Sequence, residues 1–114
     1  MKYCSACGHK VEKRIPLNDT RERFVCIDCG VIHYENPKII TGCLATWDDR
    51  VLMCRRAIEP RKDRWTLPAG FLELGETAET GAQRETKEES LANVKIEGLY
   101  TIFNLPHISQ IYMF

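Results

Sequence analysis

Thr77 to Leu91, TAETGAQRETKEESL, contains no proline and is rich in Ala, Glu, Gln, Lys and Arg, so it reads as a helix. On that helix Glu85, Glu88 and Glu89 stand at i, i+3 and i+4, which brings three carboxylates to one face within about one turn. Like charges this close repel, and helix formation gains nothing from them. A hard divalent cation such as Mg²⁺ or Mn²⁺ does, because it takes a cluster of oxygen ligands. Arg84 adjoins Glu85 and precedes Glu88 by four residues, within reach to orient a carboxylate. Just upstream, Pro68-Ala69-Gly70 predicts a tight strand-to-loop turn whose backbone carbonyls point inward. The bland alternative is a solvated acidic face, the usual use of a charge run.

Six cysteines are many for 114 residues, and four of them form Cys4-x-x-Cys7 and Cys26-x-x-Cys29 with eighteen residues between the pairs. That spacing points to a tetrahedral structural zinc site rather than to disulfides. Gly8 and Gly30 follow the two pairs, where the chain must turn sharply after a ligand. Val11–Ile15 and Arg23–Val25, separated by a Pro-Leu-Asn-Asp turn, suggest a hairpin. Residues 1–36 therefore read as a zinc ribbon, too small to hold itself together without its metal. His9 and His33 are expected on the surface, since four thiolates complete the coordination. Cys43 and Cys54 lie in apolar runs and read as buried free thiols.

Composition narrows the function classes. Lys plus Arg and Asp plus Glu both number 16, and a net charge of zero argues against a general nucleic-acid or membrane-surface binder. Residues 1–37 hold six Lys or Arg against five Asp or Glu, which is no basic patch. Tyr3, Phe24 and Tyr34 are too scattered for a base-stacking platform, so a structural or dimerising ribbon is favoured over a nucleic-acid partner. No run approaches the roughly 18 apolar residues of a membrane span. The N-terminus lacks a signal-peptide core, so a cytoplasmic protein is expected.

Beyond the joint at Tyr34-Glu35-Asn36-Pro37, Lys38–Trp47 reads as a strand, Asp48-Asp49-Arg50 as a turn and Val51–Arg55 as the returning strand. Arg55–Arg64 carries Arg55, Arg56, Arg61, Lys62 and Arg64 against Glu59 and Asp63. An exposed loop explains this equally well, but a basic loop opposite an acidic metal helix also suits a diphosphate substrate, with the planar fork of Arg on its oxygens. Trp65–Pro68 is the strand leading into the turn. Trp65 is expected in the core, with a purine stacked near it as the alternative. After the helix, Val94–Asn104 and Ile108–Phe114 read as strands either side of Leu105-Pro106-His107.

The stretch from Gly70 to Ala92 resembles the Nudix box: G, five residues, E, seven residues, then R-E-aliphatic-x-E-E-x-G-aliphatic. Gly70, Glu76, Arg84, Glu85, Glu88 and Glu89 fill its polar and first glycine positions. Thr86, Leu91 and Ala92 depart from it. With Leu91 in place of the second glycine, Asn93 becomes the candidate left-handed cap, and the helix is expected to run a residue or two longer. The resemblance implies an α+β fold, an α/β/α Nudix sandwich around a mixed sheet, occupying 37–114 behind the 1–36 zinc ribbon. It also implies that such domains continue past residue 114, with further strands and a second helix, so that this chain is C-terminally truncated. By the same resemblance Glu85 and Glu89 are the principal Mg²⁺ or Mn²⁺ ligands, Glu88 completes the cluster, the Ala69 carbonyl joins them, Arg84 orients the glutamates and Glu76 supports. Arg55, Arg56, Arg64 and Trp65 are the candidate substrate-binding residues.

A ribbon before a Nudix domain is similar to NADH pyrophosphatases and to the related group acting on FAD or ADP-ribose. The Ser-Gln-Pro-Trp-Pro-Phe-Pro signature of the former is missing from Asn104–Gln110, and CSACG, YENPK, WTLPAGF and LPHISQIY look more like the latter. The implied activity is hydrolysis of the diphosphate bond of a dinucleotide or nucleotide sugar, releasing AMP, in an enzyme type commonly found as a homodimer. The alternatives are an NADH pyrophosphatase, or a nucleic-acid- or protein-binding ribbon on a catalytically idle Nudix fold.

Overall fold

Val11–Arg14 (β1) pairs antiparallel with Arg23–Cys26 (β2), Val11 opposite Cys26 and Arg14 opposite Arg23, and β2 pairs in turn with Ile32–His33 (β3). The computed structural model describes all of residues 1–114, and this small sheet belongs to the first of two units, Met1–Asn36; the second is Pro37–Phe114. The β1–β2 turn is held by Asp19, whose carboxylate accepts the amides of Thr20 and Arg21 and the guanidinium of Arg23. The buried apolar residues of this unit are Cys4, Val25 and Cys26, so two of the three are metal-ligand candidates.

In the second unit Lys38–Gly42 (β4) is the central strand of a four-stranded mixed sheet, and the chain then makes two short ribbons. Thr46–Trp47 (β5) pairs with Arg50–Val51 (β6), and Cys54–Arg55 (β7) with Trp65–Thr66 (β8). Ala69–Phe71 (β9) joins β4 antiparallel, the helix α1 (Ala78–Ser90) follows, and Ile102–Leu105 (β10) leads through a 3-10 turn at Pro106–Ile108 into Gln110–Met113 (β11). Strand β11 lies parallel to β4, giving the order β10-β11-β4-β9. Helix α1 covers this sheet over β4 and β9.

Small residues set the helix-to-sheet distance. A side chain at Gly81 would meet Leu72 and the Thr41 hydroxyl, so the helix lies directly on the sheet there. Thr86, at an aliphatic position of the box, is fully buried and still fits, because its hydroxyl donates to the Ala82 carbonyl at 2.8 Å. That bond satisfies a group whose burial would otherwise cost on the order of 1–3 kcal/mol. Cys43 is buried as expected and donates its thiol to the Ala82 carbonyl at 3.5 Å.

Several expectations are corrected. The strand expected over Lys38–Trp47 breaks after Gly42, where a side chain would overlap the Pro68 carbonyl; close approach of another backbone is what glycine in a strand marks. Val51–Arg55 is likewise split into the ends of two ribbons. Residues 94–101 form no strand, and β10 starts only at Ile102; Val94 and Ile96 are half-buried without a ladder partner. Trp65 is 63% exposed and not core, and Cys54 is half-buried. The helix ends at Leu91, which itself takes the left-handed conformation (φ 63°), so Asn93 is not the cap. No helix is long and apolar enough to cross a membrane.

Candidate active site

The acidic helix is placed by its two ends. Thr77 caps the N-terminus, its hydroxyl accepting the Thr80 amide at 3.1 Å while the Thr80 hydroxyl accepts the Thr77 amide at 3.0 Å. The other end closes on the Leu91 amide, which donates to the Lys87 carbonyl at 2.8 Å. Between them the face carrying Glu85, Glu88 and Glu89 is turned to the β9 backbone.

Arg84 is the hub of that face, and all of its guanidinium nitrogens are engaged. Nε and Nη2 hold Glu76 in a two-pronged bond at 2.9 and 2.8 Å, and Nη2 also donates to the Phe71 carbonyl at 3.1 Å. Nη1 donates to Glu85 at 2.8 Å and to Glu88 at 3.2 Å. Paired geometry of this kind is the strong form of ion pairing. The Arg84 bond, helped by the Glu73 amide, holds the Glu76 carboxyl below its ordinary range, and the two carboxylates hold Arg84 firmly charged.

Glu85 and Glu89 converge on the Ala69–Gly70 backbone. Glu85 rests against Gly70, where any side chain would overlap its carboxylate. Glu89 accepts the Ala69 amide at 3.1 Å. Partial burial pushes the Glu89 carboxyl up, as do the Glu85 and Glu88 charges, against the opposing pull of the Ala69 amide and the Arg56 guanidinium. Glu88 is exposed and leans to Arg84 rather than to Glu89. Two of the three helix acids thus meet at one backbone corner, and the third stands on its rim. Oxygen donors of this kind suit a hard divalent cation.

The basic loop divides. Arg56 is half-buried, anchored through Nε to the Pro60 carbonyl at 2.8 Å, and close enough to act on Glu89. Arg55 is spoken for by Asp63 at 2.9 Å. Arg64 and Trp65 are exposed. Cys54 is a neighbour of the acidic face that sequence reading did not place there: burial first, then the Glu89 charge, raise its thiol.

In the first unit, the sulfurs of Cys4, Cys7, Cys26 and Cys29 all lie within 4.8 Å of one another, with Cys4–Cys29 at 3.7 Å and Cys7–Cys26 at 3.4 Å. A tetrahedral zinc with bonds of about 2.3 Å spaces its sulfurs about 3.8 Å apart, so the four residues fit the ion. His9 is exposed and faces Asp28 at 3.5 Å, as a surface histidine would. His33 is half-buried, its Nε2 lying 3.2 Å from Cys4 Sγ, which corrects its expected surface position. Burial raises the Cys4 thiol, but the His33 bond and the Ala6 and Cys7 amides outweigh it and bring it down to about 6.

Comparison with known proteins matches residues 2–35 to the Nudix N-terminal zinc ribbon and residues 37–110 to the NUDIX domain. An NAD-capped RNA hydrolase NudC of Vibrio atlanticus is 32% identical over 102 residues, covering 86% of this chain and 36% of the relative. An ADP-ribose pyrophosphatase of Methanocaldococcus jannaschii is 33% identical over 73 residues, 64% of this chain and 43% of that protein. A crystal structure of a NUDIX hydrolase from Nitrosomonas europaea superposes with a TM-score of 0.93 at 55% identity, covering 99% of this chain and 64% of the other. The chain therefore spans little more than a third to two fifths of the length of these two curated relatives.

Proposed function

The chain belongs to the Nudix family, a NUDIX domain preceded by a Nudix N-terminal zinc ribbon, and from that premise we propose that it hydrolyses the diphosphate bond of a nucleoside diphosphate joined to a second moiety, of the FAD or ADP-ribose type, releasing AMP. The observation that carries this reading is the meeting of Glu85 and Glu89 at the Ala69–Gly70 corner beneath the Arg84 hub. Glu85, Glu88, Glu89 and the Ala69 carbonyl are the proposed holders of Mg²⁺ or Mn²⁺, which when bound neutralises diphosphate charge and makes a bound water more acidic. Arg84 and Glu76 position the Glu85 and Glu88 carboxylates. Gly70 leaves the space that Glu85 occupies. Arg56 is the proposed phosphate contact of the basic loop. Arg55 serves there only on release from Asp63, and Arg64 and Trp65 offer an exposed cation and ring for the far half of the substrate.

We assign Zn²⁺ to Cys4, Cys7, Cys26 and Cys29 as a structural ion, in a homodimeric, cytoplasmic protein. Cysteines spaced for metal rather than paired as disulfides support that compartment. A second reading is favoured by the curated relatives named NAD-capped RNA hydrolases: the diphosphate cleaved is that of an NAD moiety, free or at an RNA end. The net charge of zero speaks for the free dinucleotide.

The test is hydrolysis of FAD, ADP-ribose, NADH and an NAD-capped RNA in parallel, with Mg²⁺ or Mn²⁺ and product analysis. AMP from FAD or ADP-ribose is the expected result, and turnover of the NAD compounds alone selects the second reading. Tight, salt-dependent RNA binding without any hydrolysis overturns both in favour of an idle domain carrying a binding ribbon.

A further inference from the structure

We propose that His33 is the outer-sphere partner of the zinc site, donating an Nε2–H···S hydrogen bond to Cys4 and thereby shielding that sulfur and slowing metal loss. Three features of the ribbon carry this. The first is distance: Nε2 lies 3.2 Å from Cys4 Sγ, well inside the range of a nitrogen–sulfur hydrogen bond. A metal-bound thiolate can only accept, so the shared proton belongs to the imidazole.

The second is the way the two knuckles differ. Cys26 is served by its own loop, accepting the amides of Asp28 and Cys29, each at 3.4 Å. In the first knuckle the Ala6 amide reaches Cys4 at 3.4 Å and the Cys7 amide also acts on it, and what has no counterpart at Cys26 is the imidazole of His33, which joins them from another part of the chain. The third is placement. Strand β3 is locked to β2 through Phe24 opposite His33 and Val25 opposite Ile32, and the Cys26 amide closes on the Val31 carbonyl at 3.0 Å. The second knuckle therefore returns along β3 and lays His33 over the first, tying the two halves of the site together. Outer-sphere donors of this type typically change metal affinity by about 10–100-fold.

This inference rests on the assignment of zinc to the four cysteines. That assignment is checked separately by one equivalent of zinc per chain, lost on replacing Cys26 by Ser. The test uses the full chain. In the wild-type protein loaded with cadmium, long-range ¹⁵N spectra identify the His33 tautomer; Nε2–H with a slowly exchanging proton is expected, and an Nδ1–H tautomer overturns the proposal without any variant. In the zinc-loaded protein, His33→Phe keeps a ring but no donor, and His33→Gln keeps a donor. Zinc transfer to a chromogenic chelator is expected to be about ten-fold or more faster for His33→Phe, with Cys4, buried in the wild type, moving forward in the order of iodoacetamide alkylation read by mass spectrometry. His33→Gln restores both, and His9→Ala changes neither. Equal release rates and an unchanged alkylation order for His33→Phe, or identical behaviour of Phe and Gln variants, sinks the idea.

Discussion

At the scale of single residues, the site is built by contacts that leave no slack. Gly70 is there because the Glu85 carboxylate occupies the place of its side chain. Gly70→Ala must push Glu85 aside by a sizeable fraction of an ångström or more, and misplacement of that order costs roughly 10²-fold in rate. We expect kcat to fall by that order and Mn²⁺ affinity to weaken, with the far-UV spectrum unchanged; full activity in that variant would remove Glu85 from the metal face. Glu85→Gln is expected to abolish hydrolysis while the chain stays folded, since the neutral amide still accepts from Arg84. The Arg84–Glu76 bond has a pH signature. Glu76 is held below the usual glutamate range, so the stability it adds is present above the ordinary glutamate value and is lost as pH falls through its lowered value in the folded protein. Glu76→Gln should therefore lower stability at neutral pH and flatten the acid limb of the unfolding curve, as read by circular dichroism from pH 7 downward. The spacing of Gly70, Glu76, Arg84 and Glu85 in the sequence named these residues. What it could not give is the split loyalty of the acids: Glu88 turns to Arg84 and Glu89 to the Ala69 amide, a choice that depends on where the β9 backbone lies.

At the scale of elements, the helix was legible because its signals are local: freedom from proline, composition and carboxylate spacing all fall within one stretch. Its end was misread, and the reason is instructive. Sequence rules place a Gly or Asn at a left-handed cap, whereas here Leu91 is held at φ 63° with its side chain exposed. A side chain in that conformation costs roughly 1 kcal/mol that glycine does not incur. Leu91→Gly is therefore expected to stabilise the second unit by about 1 kcal/mol, raising Tm by several degrees, because an exposed leucine surrenders little packing. A fall in Tm would show that Leu91 makes contacts that outweigh its backbone strain. The strands were less legible than the helix. Lys38–Trp47 has strand composition throughout, but pairing stops where β4 meets the Pro68 backbone at Gly42, a tertiary fact with no local mark except the glycine itself. Val94 and Ile96 alternate as a strand would, yet alternation reports only a half-buried extended chain and not a partner.

At the scale of the whole molecule, the two units differ in what holds them. Residues 37–114 pack a helix on a four-stranded sheet, and Ile40, Thr41, Cys43, Pro68, Ala82 and Thr86 are buried there. Residues 1–36 bury only Cys4, Val25 and Cys26 among their apolar side chains, and two of those three are proposed zinc ligands. A chain segment below about 40 residues rarely buries enough apolar surface to fold on that alone, whereas a structural zinc contributes on the order of 10 kcal/mol of binding free energy that appears as folding free energy. The paired cysteines made this readable in the sequence, because metal-ligand spacing is a local pattern; the position of His33 was not, because it depends on the β2–β3 register. The consequence is a selective response to chelation. Stripping zinc with a strong chelator should erase amide protection at Val11–Arg14, Arg23–Cys26 and Ile32–His33 while protection at Lys38–Gly42 and Gln110–Met113 persists, measured residue by residue by hydrogen exchange. If β1–β3 stay protected in the stripped protein, the ribbon's hydrogen bonds and its small core suffice, and zinc is a passenger there. If both units lose protection together, the second unit draws stability from the first, and its own core is weaker than the burial of Ile40, Thr41 and Thr86 implies.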